Sequence, residues 1–402
     1  MNKKRSFVRV LKWSFRIFVL IIAFLLFKQY IWDKKYKFPE AKPFSGNFFY
    51  NPYRNIDTSL WAKANFHVHT LSWMGLTNGR KNNDELVDSL YTYLGYKIFS
   101  ISDYQKINPY LQKKPDYIPV YEHGYLPPKN HQLVLNAKKV SWLDYLFPQT
   151  IHNKQNVINT IKNDSSVLAA IAHPCLQNSY KPEDFKKLSG YDLMEVLNQN
   201  RFSLVHWDSA LSSGHPAFIL ADDDSHDLKD IYTGGRCCTF INSVLEKDLV
   251  LDALKCGRAY GADVKMHPDE PYSQKKIVLQ QLTLLQNLTI HNDTLYLILS
   301  DTVRKIKFIG QGGQLKKEIK NAKDAFYEFS SDDTYIRTEV ITNDESALYF
   351  NPVFRYNGNN IPVYKTSADN LQTWIWRSFF FILLLSCFFI YKLLKKNKRH
   401  EP

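Results

Sequence analysis

Two stretches of the 402-residue chain are apolar without periodicity, and most of the sequence between them is patterned. Residues 13–32 contain an uninterrupted apolar run at 17–27. Residues 374–394 contain a second run, at 378–391, that includes Phe379-Phe380-Phe381-Ile382. Each matches the ~20 residues a helix needs to span a bilayer, with Arg16, Lys28 or Arg377 snorkelling and Trp or Tyr as interfacial anchors. Both are predicted as transmembrane helices. A cleaved signal peptide would also explain the first, but only Tyr-Ile-Trp-Asp-Lys-Lys follows it, with no small-x-small pattern, so an uncleaved anchor is predicted.

Between the spans, after a Pro- and aromatic-rich linker, short apolar runs alternate with helical periodicity. Strands are predicted at 64–69, 97–102, 117–121, 132–135, 167–172, 193–197 and 217–221. Helices are predicted at 84–94, opened by Asn83 or Asp84 and closed by Gly95, at 157–163, and at 245–256, closed by Gly257. Such alternation predicts an α/β fold with a parallel sheet, closed or open. From about residue 271 the texture changes. Segments 275–285, 294–299, 305–309, 325–330, 335–342 and 348–355 alternate apolar and polar residues, with Asn, Asp and Gly between them. That predicts an antiparallel β module, a small sandwich.

Charge refines the membrane reading. Ten Lys/Arg against Asp33 in residues 1–37, and five against Glu401 in residues 392–402, carry the whole formal +13, leaving the centre neutral. A neutral centre lacks the basic footprint of a duplex binder, so no nucleic-acid partner is expected. Lys3, Lys4, Arg5, Arg9 and Lys12 precede the first span, and Lys392, Lys395, Lys396, Lys398 and Arg399 end or follow the second. The positive-inside rule then places both termini in the cytoplasm and the centre on the periplasmic or extracellular side. Lys34, Lys35 and Lys37 oppose this without reversing it. The five cysteines show no disulfide framework or CxxC site, and vicinal Cys237-Cys238 is expected to be two buried small residues.

Candidate chemistry gathers near the strand ends. His67 and His69 are i and i+2 on a strand, so both rings face one side and can reach one ion. Glu122, His131, His173, Asp224 and His226 supply further His and carboxylate donors, the usual ligands of zinc, manganese and iron. His123, His152, His206 and His215 lie in polar loops and are expected to be solvated, with His206 the one that could line a pocket. Arg201, Arg236 and Arg258 could clamp a phosphate, although structural pairing explains them equally well.

In order and spacing these pieces resemble the polymerase-and-histidinol-phosphatase (PHP) family of metal-dependent phosphoesterases. The matching segments are His67-Val68-His69-Thr70, Thr77-Asn78-Gly79, Ser102-Asp103-Tyr104, Glu122 with His131, Ala172-His173-Pro174 and Asp223-Asp224-Ser225-His226. Family-like surroundings also occur at Glu195-Val196-Leu197-Asn198 and around Gly257-Arg258. The resemblance covers roughly residues 61–265 and implies a distorted (β/α)7 barrel with metals in its mouth. By that analogy His67, His69, Glu122 and Asp224 form one metal site, and Glu122, His131 and His173 a second. A third would keep only His226, because Asn78 and Tyr104 stand where the family has better ligands. Two divalent ions are therefore expected, unless Tyr104 ligates as a phenolate. The layout becomes a basic tail (1–12), span (13–32), linker (33–60), PHP-like barrel (61–268), β-rich domain (269–366), span (374–394) and basic tail (395–402).

The expected activity is hydrolysis of a phosphate ester through a metal-bridged hydroxide. His226 or Asp103 would relay a proton to the leaving group. The substrate is expected to be a small-molecule, lipid or glycan phosphoester. One alternative is a catalytically impaired module that binds a phosphorylated ligand or partner. Another is a scaffold working through its β module.

Overall fold

The structure, a computed structural model, describes residues 2–126, 129–199, 201–265, 267, 269–361 and 365–397. Met1 and residues 398–402 of the predicted basic tails lie outside the described residues. Helix α1 (Asn2–Leu26) runs into a π-helical turn, Phe27–Trp32. Far along the chain stands the other long apolar helix, Asn370–Asn397. Over Phe7–Trp32 and Asn370–Lys395 the two are long and apolar enough to cross a membrane. They meet the folded part at one place. Tyr36–Lys37 pairs with Ser367–Ala368, Lys35 N donates to Thr373 Oγ1 at 2.9 Å, and Arg377 donates to Trp32 O at 2.6 Å. The Asp33 carboxylate accepts from Tyr145, Asn153 and Asn156, fastening the first helix to the folded part.

The strands that follow are β1 (Trp61–Asn65), β2 (Ile98–Phe99), β3 (Val120–His123), β4 (Gln132–Leu135), β5 (Leu168–Ile171), β6 (Leu193–Asn198) and β7 (Phe218–Asp222). β1 and β2 pair in parallel, and β3 to β7 form a second sheet in sequence order. Two isolated parallel bridges, Val68–Ser225 and Tyr104–Glu122, join the two sheets at the same rim. Strands β3 to β7 are buried along their length, as strands covered on both faces must be. The expected parallel run breaks at β4, which is antiparallel to both neighbours. Around the sheets lie α2 (Asp84–Tyr93), α3 (Ile151–Ile161) and α4 (Leu204–Ser212). Asn83 Oδ1 caps α2 by accepting from Leu86 N, and Thr150 with Asn153 forms a capping box on α3.

Strand β8 (Cys237–Asn242), helix α5 (Lys247–Lys255) and strand β9 (Ala259–Asp263) come next; β8 pairs antiparallel with both β1 and β9. The strand expected at 275–285 is largely helix α6 (Tyr272–Gln280). Lys275 and Leu279 are its buried positions, an i, i+4 helical spacing hidden by a lysine at the core-facing position. The Lys275 ammonium donates to the carbonyls of Ile231 and Gly234.

Strands β10 (Leu285–His291), β11 (Thr294–Gly310), β12 (Gln314–Glu328), β13 (Tyr335–Ile341), β14 (Ala347–Phe350) and β15 (Val353–Tyr356) make up the β-rich part, with β15 pairing both β13 and Phe48–Tyr50. The runs at 294–299 and 305–309 are one 17-residue strand, with a register irregularity between Ile298 and Val303. β14 pairs with β9, so these strands extend the sheet of β1, β8 and β9 instead of closing a separate small sandwich. The remaining helix is α7 (Asn370–Asn397). One core, with Leu133, Ala170, Met194 and Trp207, fills the space around β3 to β7. A second, with Tyr91, Phe240, Phe308 and Phe350, underlies the later strands.

Candidate metal centre

One rim of the sheets collects the His and carboxylate groups. β1 ends at Asn65, and the chain stays in line through His67 and His69. His69 N donates to Ser225 O at 3.0 Å and Ser102 N to Val68 O at 2.9 Å. Glu122 lies in β3. Because β4 runs backwards, His131, which precedes it, returns to the same rim. His173 follows β5 and Asp224 follows β7, beyond a register shift between Leu220 and Ala221 that re-aims the strand end.

The side chains meet in two overlapping clusters. His67 Nε2 lies 3.5 Å from Glu122 Oε2 and 3.3 Å from Asp224 Oδ1; the same distances from His69 Nε2 are 3.2 Å and 3.4 Å. On the other side, Glu122 Oε1 lies 2.5 Å from His131 Nδ1 and 3.0 Å from His173 Nε2. All six residues are buried. His67 Nε2, His69 Nε2, Glu122 Oε2 and Asp224 Oδ1 have no hydrogen-bond partner. Buried donors and acceptors are almost always satisfied, so four orphans around one point fit a bound divalent cation. His69, Asp224 and His226 also offer mutually close donor atoms.

The surroundings hold these groups by specific bonds. Glu195 Oε1 accepts from His67 Nδ1 at 2.8 Å, and its Oε2 accepts from His173 N at 2.7 Å. That fixes the His67 tautomer and turns the Nε2 lone pair inward. Asn198 Nδ2 donates to Asp224 Oδ2 at 3.2 Å, and Gln199 Nε2 to Asp224 O at 2.8 Å. His173 and Asp224 both have positive φ, 28° and 49°, a conformation costing about 1–3 kcal/mol that concentrates at functional sites. In the triple acid run only Asp224 faces the cluster. Asp222 accepts from Phe66 N, and Asp223 from Tyr91 OH and the N–H groups of Gly235, Arg236 and Cys237.

Charge is concentrated here. Burial opposes a charged His67, but Asp224, Glu195 and Glu122 outweigh it and hold its pKa well above an ordinary imidazole. Burial likewise opposes the Glu122 carboxylate, yet His131 and His67 pull its pKa well below the usual range. The cluster therefore binds positive charge strongly.

Other candidates are placed differently. His226 is partly exposed, its ring 4.3 Å from that of His69, and burial followed by the His69 charge pushes its pKa down to about 4. Its Nε2 lies 3.4 Å from Tyr104 OH. Burial and then the charges of Glu122 and Asp224 raise the Tyr104 pKa far above a normal phenol, which works against a phenolate ligand. Asn78 is exposed, while Gly79 packs so closely that a Cβ would sit 2.6 Å from His69 Cβ. Asp103 accepts from Thr70 N at 2.8 Å and from Asn108 Nδ2 at 3.3 Å, so its carboxylate holds a loop beside the cluster.

The histidines expected to be solvated are not. His123, His206 and His215 are buried and His152 half-buried. His123 bonds Gln132, His206 bonds Tyr180 O, and His152 Nδ1 accepts from Tyr36 N. Polar neighbours in sequence concealed burial by tertiary packing. Arg236 and Arg258 pair with Asp263 and Asp252, whereas Arg201 reaches the site, 3.7 Å from Asp224 Oδ2. Gln199 was missed by sequence reasoning, and Glu195 and Asn198 entered only as family-like surroundings. The available signal was an acid inside an otherwise apolar strand run, Leu193-Met194-Glu195-Val196-Leu197.

No family model matches the chain, and no curated protein matches it. Among solved structures, the chain is similar to a two-domain protein from Bacteroides vulgatus ATCC 8482 containing a predicted PHP-like metal-dependent phosphoesterase. The match covers 82% of this chain and 99% of that one, at 12% identity and a TM-score of 0.38, a likeness too distant to carry an argument.

Proposed function

We propose that the chain is a membrane-anchored, metal-dependent phosphoesterase of the PHP type with a binuclear centre in a distorted barrel. The observation that carries this reading is the set of four orphaned, buried atoms drawn from three segments of the chain, with Glu122 turning its other oxygen to His131 and His173. The motif order read from the sequence supports the same assignment. His67, His69, Glu122 and Asp224 would hold one ion, and Glu122, His131 and His173 the other; the donor set suits zinc, manganese or iron. Bound there, such ions supply Lewis acidity to a phosphoryl oxygen and to the attacking water.

The chain's own residues do the rest. Glu195 orients His67 and the His173 backbone. Arg201 is placed to bind a phosphoryl oxygen. His226 Nδ1 bonds the Asp224 carbonyl, leaving Nε2 facing the Tyr104 hydroxyl, so this pair is the proton relay nearest the cluster. The flanking apolar helices would span the membrane with both termini cytoplasmic and the site on the opposite side.

The test is metal analysis of the purified full chain beside a phosphoester screen. Expected are two transition ions per chain and phosphate release that is lost in His67→Ala with His69→Ala. A chain without transition metal, or a double variant with full activity, overturns the reading. Metal binding without turnover on any ester would favour a module that binds phosphorylated ligands, the role Asn78 and Tyr104 point to.

A further inference from the structure

We propose that the lip of this site lies on the membrane holding α1 and α7, and that the phosphoester it takes is a lipid of that membrane with a terminal phosphate. The substrate class rests on the phosphoesterase reading, and the membrane contact rests on the reading of α1 and α7 as membrane spans. The lip is Leu71, Trp73, Met74 and Leu76 on one loop, with Tyr125 and Trp142 beside it, all exposed. Met74 is 99% and Leu76 85% exposed, values a soluble loop has no packing reason to adopt with side chains of that size. Trp73, Met74 and Gly75 have φ of 50°, 53° and 81°, three successive left-handed residues that turn the apolar tip outward. For Trp and Met that conformation is strained, and such strain collects at functional clamps.

Two chains of contacts fix where this lip lies. Inward, Trp73 Nε1 donates to Tyr104 O at 2.7 Å, and the Tyr104 ring stacks 4.4 Å from that of His69, so one residue separates lip from ligand. Outward, the Trp73 and Trp142 rings are 5.9 Å apart, and the segment leaving Trp142 ends on the first anchor. Gln29 Nε2 donates to Phe147 O and Tyr30 OH to Pro148 O, both at 2.8 Å. Five residue steps from Trp142 to Phe147 span at most about 20 Å, so the lip cannot be far from the end of a membrane span. Aromatic, Leu and Met side chains within that reach of a span's end have the composition of the interfacial belt. Cations face the mouth as well: the Lys129 ammonium lies 5.5 Å from the Tyr104 ring centroid and Arg201 lies beside Asp224. An apolar lip outside and cations inside suit an acyl chain and a phosphate headgroup. A free nucleotide or glycan phosphate would gain nothing from the apolar lip.

The experiment uses the full chain in phosphatidylcholine vesicles doped with phosphatidic acid and with a diazirine-bearing phosphatidylcholine. Photolabelling and peptide mapping read membrane contact without reference to activity. Phosphate release from phosphatidic acid is compared with release from soluble glycerol phosphate, in the parent chain and in Met74→Ser with Leu76→Ser. Expected are labels within 71–76 and around 142, and a fall on the order of tenfold in the ratio of lipid to soluble turnover in the variant. Absence of label from 71–76 overturns the membrane contact whatever the activity. Label with an unchanged ratio, or a parent chain that prefers glycerol phosphate, overturns the lipid substrate. No release from either ester overturns the substrate class together with the phosphoesterase reading, while the label map still decides the lip.

Discussion

Replacing Glu195 with Gln keeps the side-chain volume but removes one of two acceptors at a fully buried position. Oε1 accepts the His67 Nδ1 proton at 2.8 Å, and Oε2 accepts the His173 N–H at 2.7 Å. An amide offers one oxygen, so whichever N–H meets the NH2 group is left donor against donor. An unmet buried polar group costs about 1–3 kcal/mol. If the amide turns its oxygen to His173, His67 loses the bond that fixes its tautomer and ring. Loss of an orienting partner behind a ligand imidazole lowers metal affinity about 10–100-fold. If it turns the other way, His173 loses its backbone anchor in a left-handed conformation, and the second cluster loosens instead. Both outcomes weaken metal binding. The assay is chelator competition on the purified full chain with zinc and with manganese, read beside metal content. An affinity within about twofold of the parent, well below the expected range, would refute the view that Glu195 orients these ligands.

Gly124 has φ of 109°, and a Cβ there would sit 2.5 Å from His131 Cδ2; Gly124→Ala should displace His131 and lower metal content by one ion per chain, and unchanged content counts against the second cluster. Without metal, a charged His67 stabilises the fold fully below the ordinary imidazole pKa, and this contribution is lost as pH rises through its raised value. An ion must displace that proton, so the gain in Tm from added metal should grow with pH, and a gain independent of pH contradicts the charge assignment. Arg337 donates bidentately to Asp208 at 2.7 Å and 2.9 Å from a nearly buried position, tying α4 to β13. Asp208→Ala should cost about 1–3 kcal/mol in chemical unfolding, because Arg337 loses both bonds to α4 yet keeps Glu339 at 2.6 Å, and an unchanged unfolding midpoint would be the contrary result.

The His and carboxylate cluster was legible because most of its members sit where an apolar run stops, and strand ends are marked in sequence by the loss of that pattern. His131 precedes its strand and could be placed only through the family resemblance. Its position at the rim depends on β4 running backwards, which is a pairing choice and not a local propensity. The same holds for β14 joining β9: the single run expected at 348–355 is two strands, Ala347–Phe350 and Val353–Tyr356, and alternation reveals neither the break nor the partners, so a continuous sheet read as a separate module. His123 and Lys275 failed for the opposite reason. His123 was assigned to solvent and Lys275 to one face of an expected β segment, yet each meets its hydrogen-bonding needs internally, His123 through Gln132 and Lys275 through two carbonyls.

An ion-pair network is the competing physical account of the rim, and the distances discriminate in the first cluster; in the second, Glu122 Oε1 and His131 Nδ1 at 2.5 Å are within hydrogen-bond length. A charge-assisted N–H···O bond closes to about 2.7–2.9 Å. The four His–carboxylate separations in the first cluster are 3.2, 3.3, 3.4 and 3.5 Å, all longer than that. Atoms each about 2.1 Å from one ion at tetrahedral angles stand about 3.4 Å apart. Two imidazoles and two carboxylates free to pair would be expected to shorten at least one contact. Here the His67 ring is held back by Glu195 and the Asp224 carboxylate by Asn198, both bonded from outside the cluster. The spacing is thus imposed by the surrounding bonds, at the expense of the pairings the four groups could make among themselves. That favours a site shaped for a cation over a salt-bridge network shaped for stability.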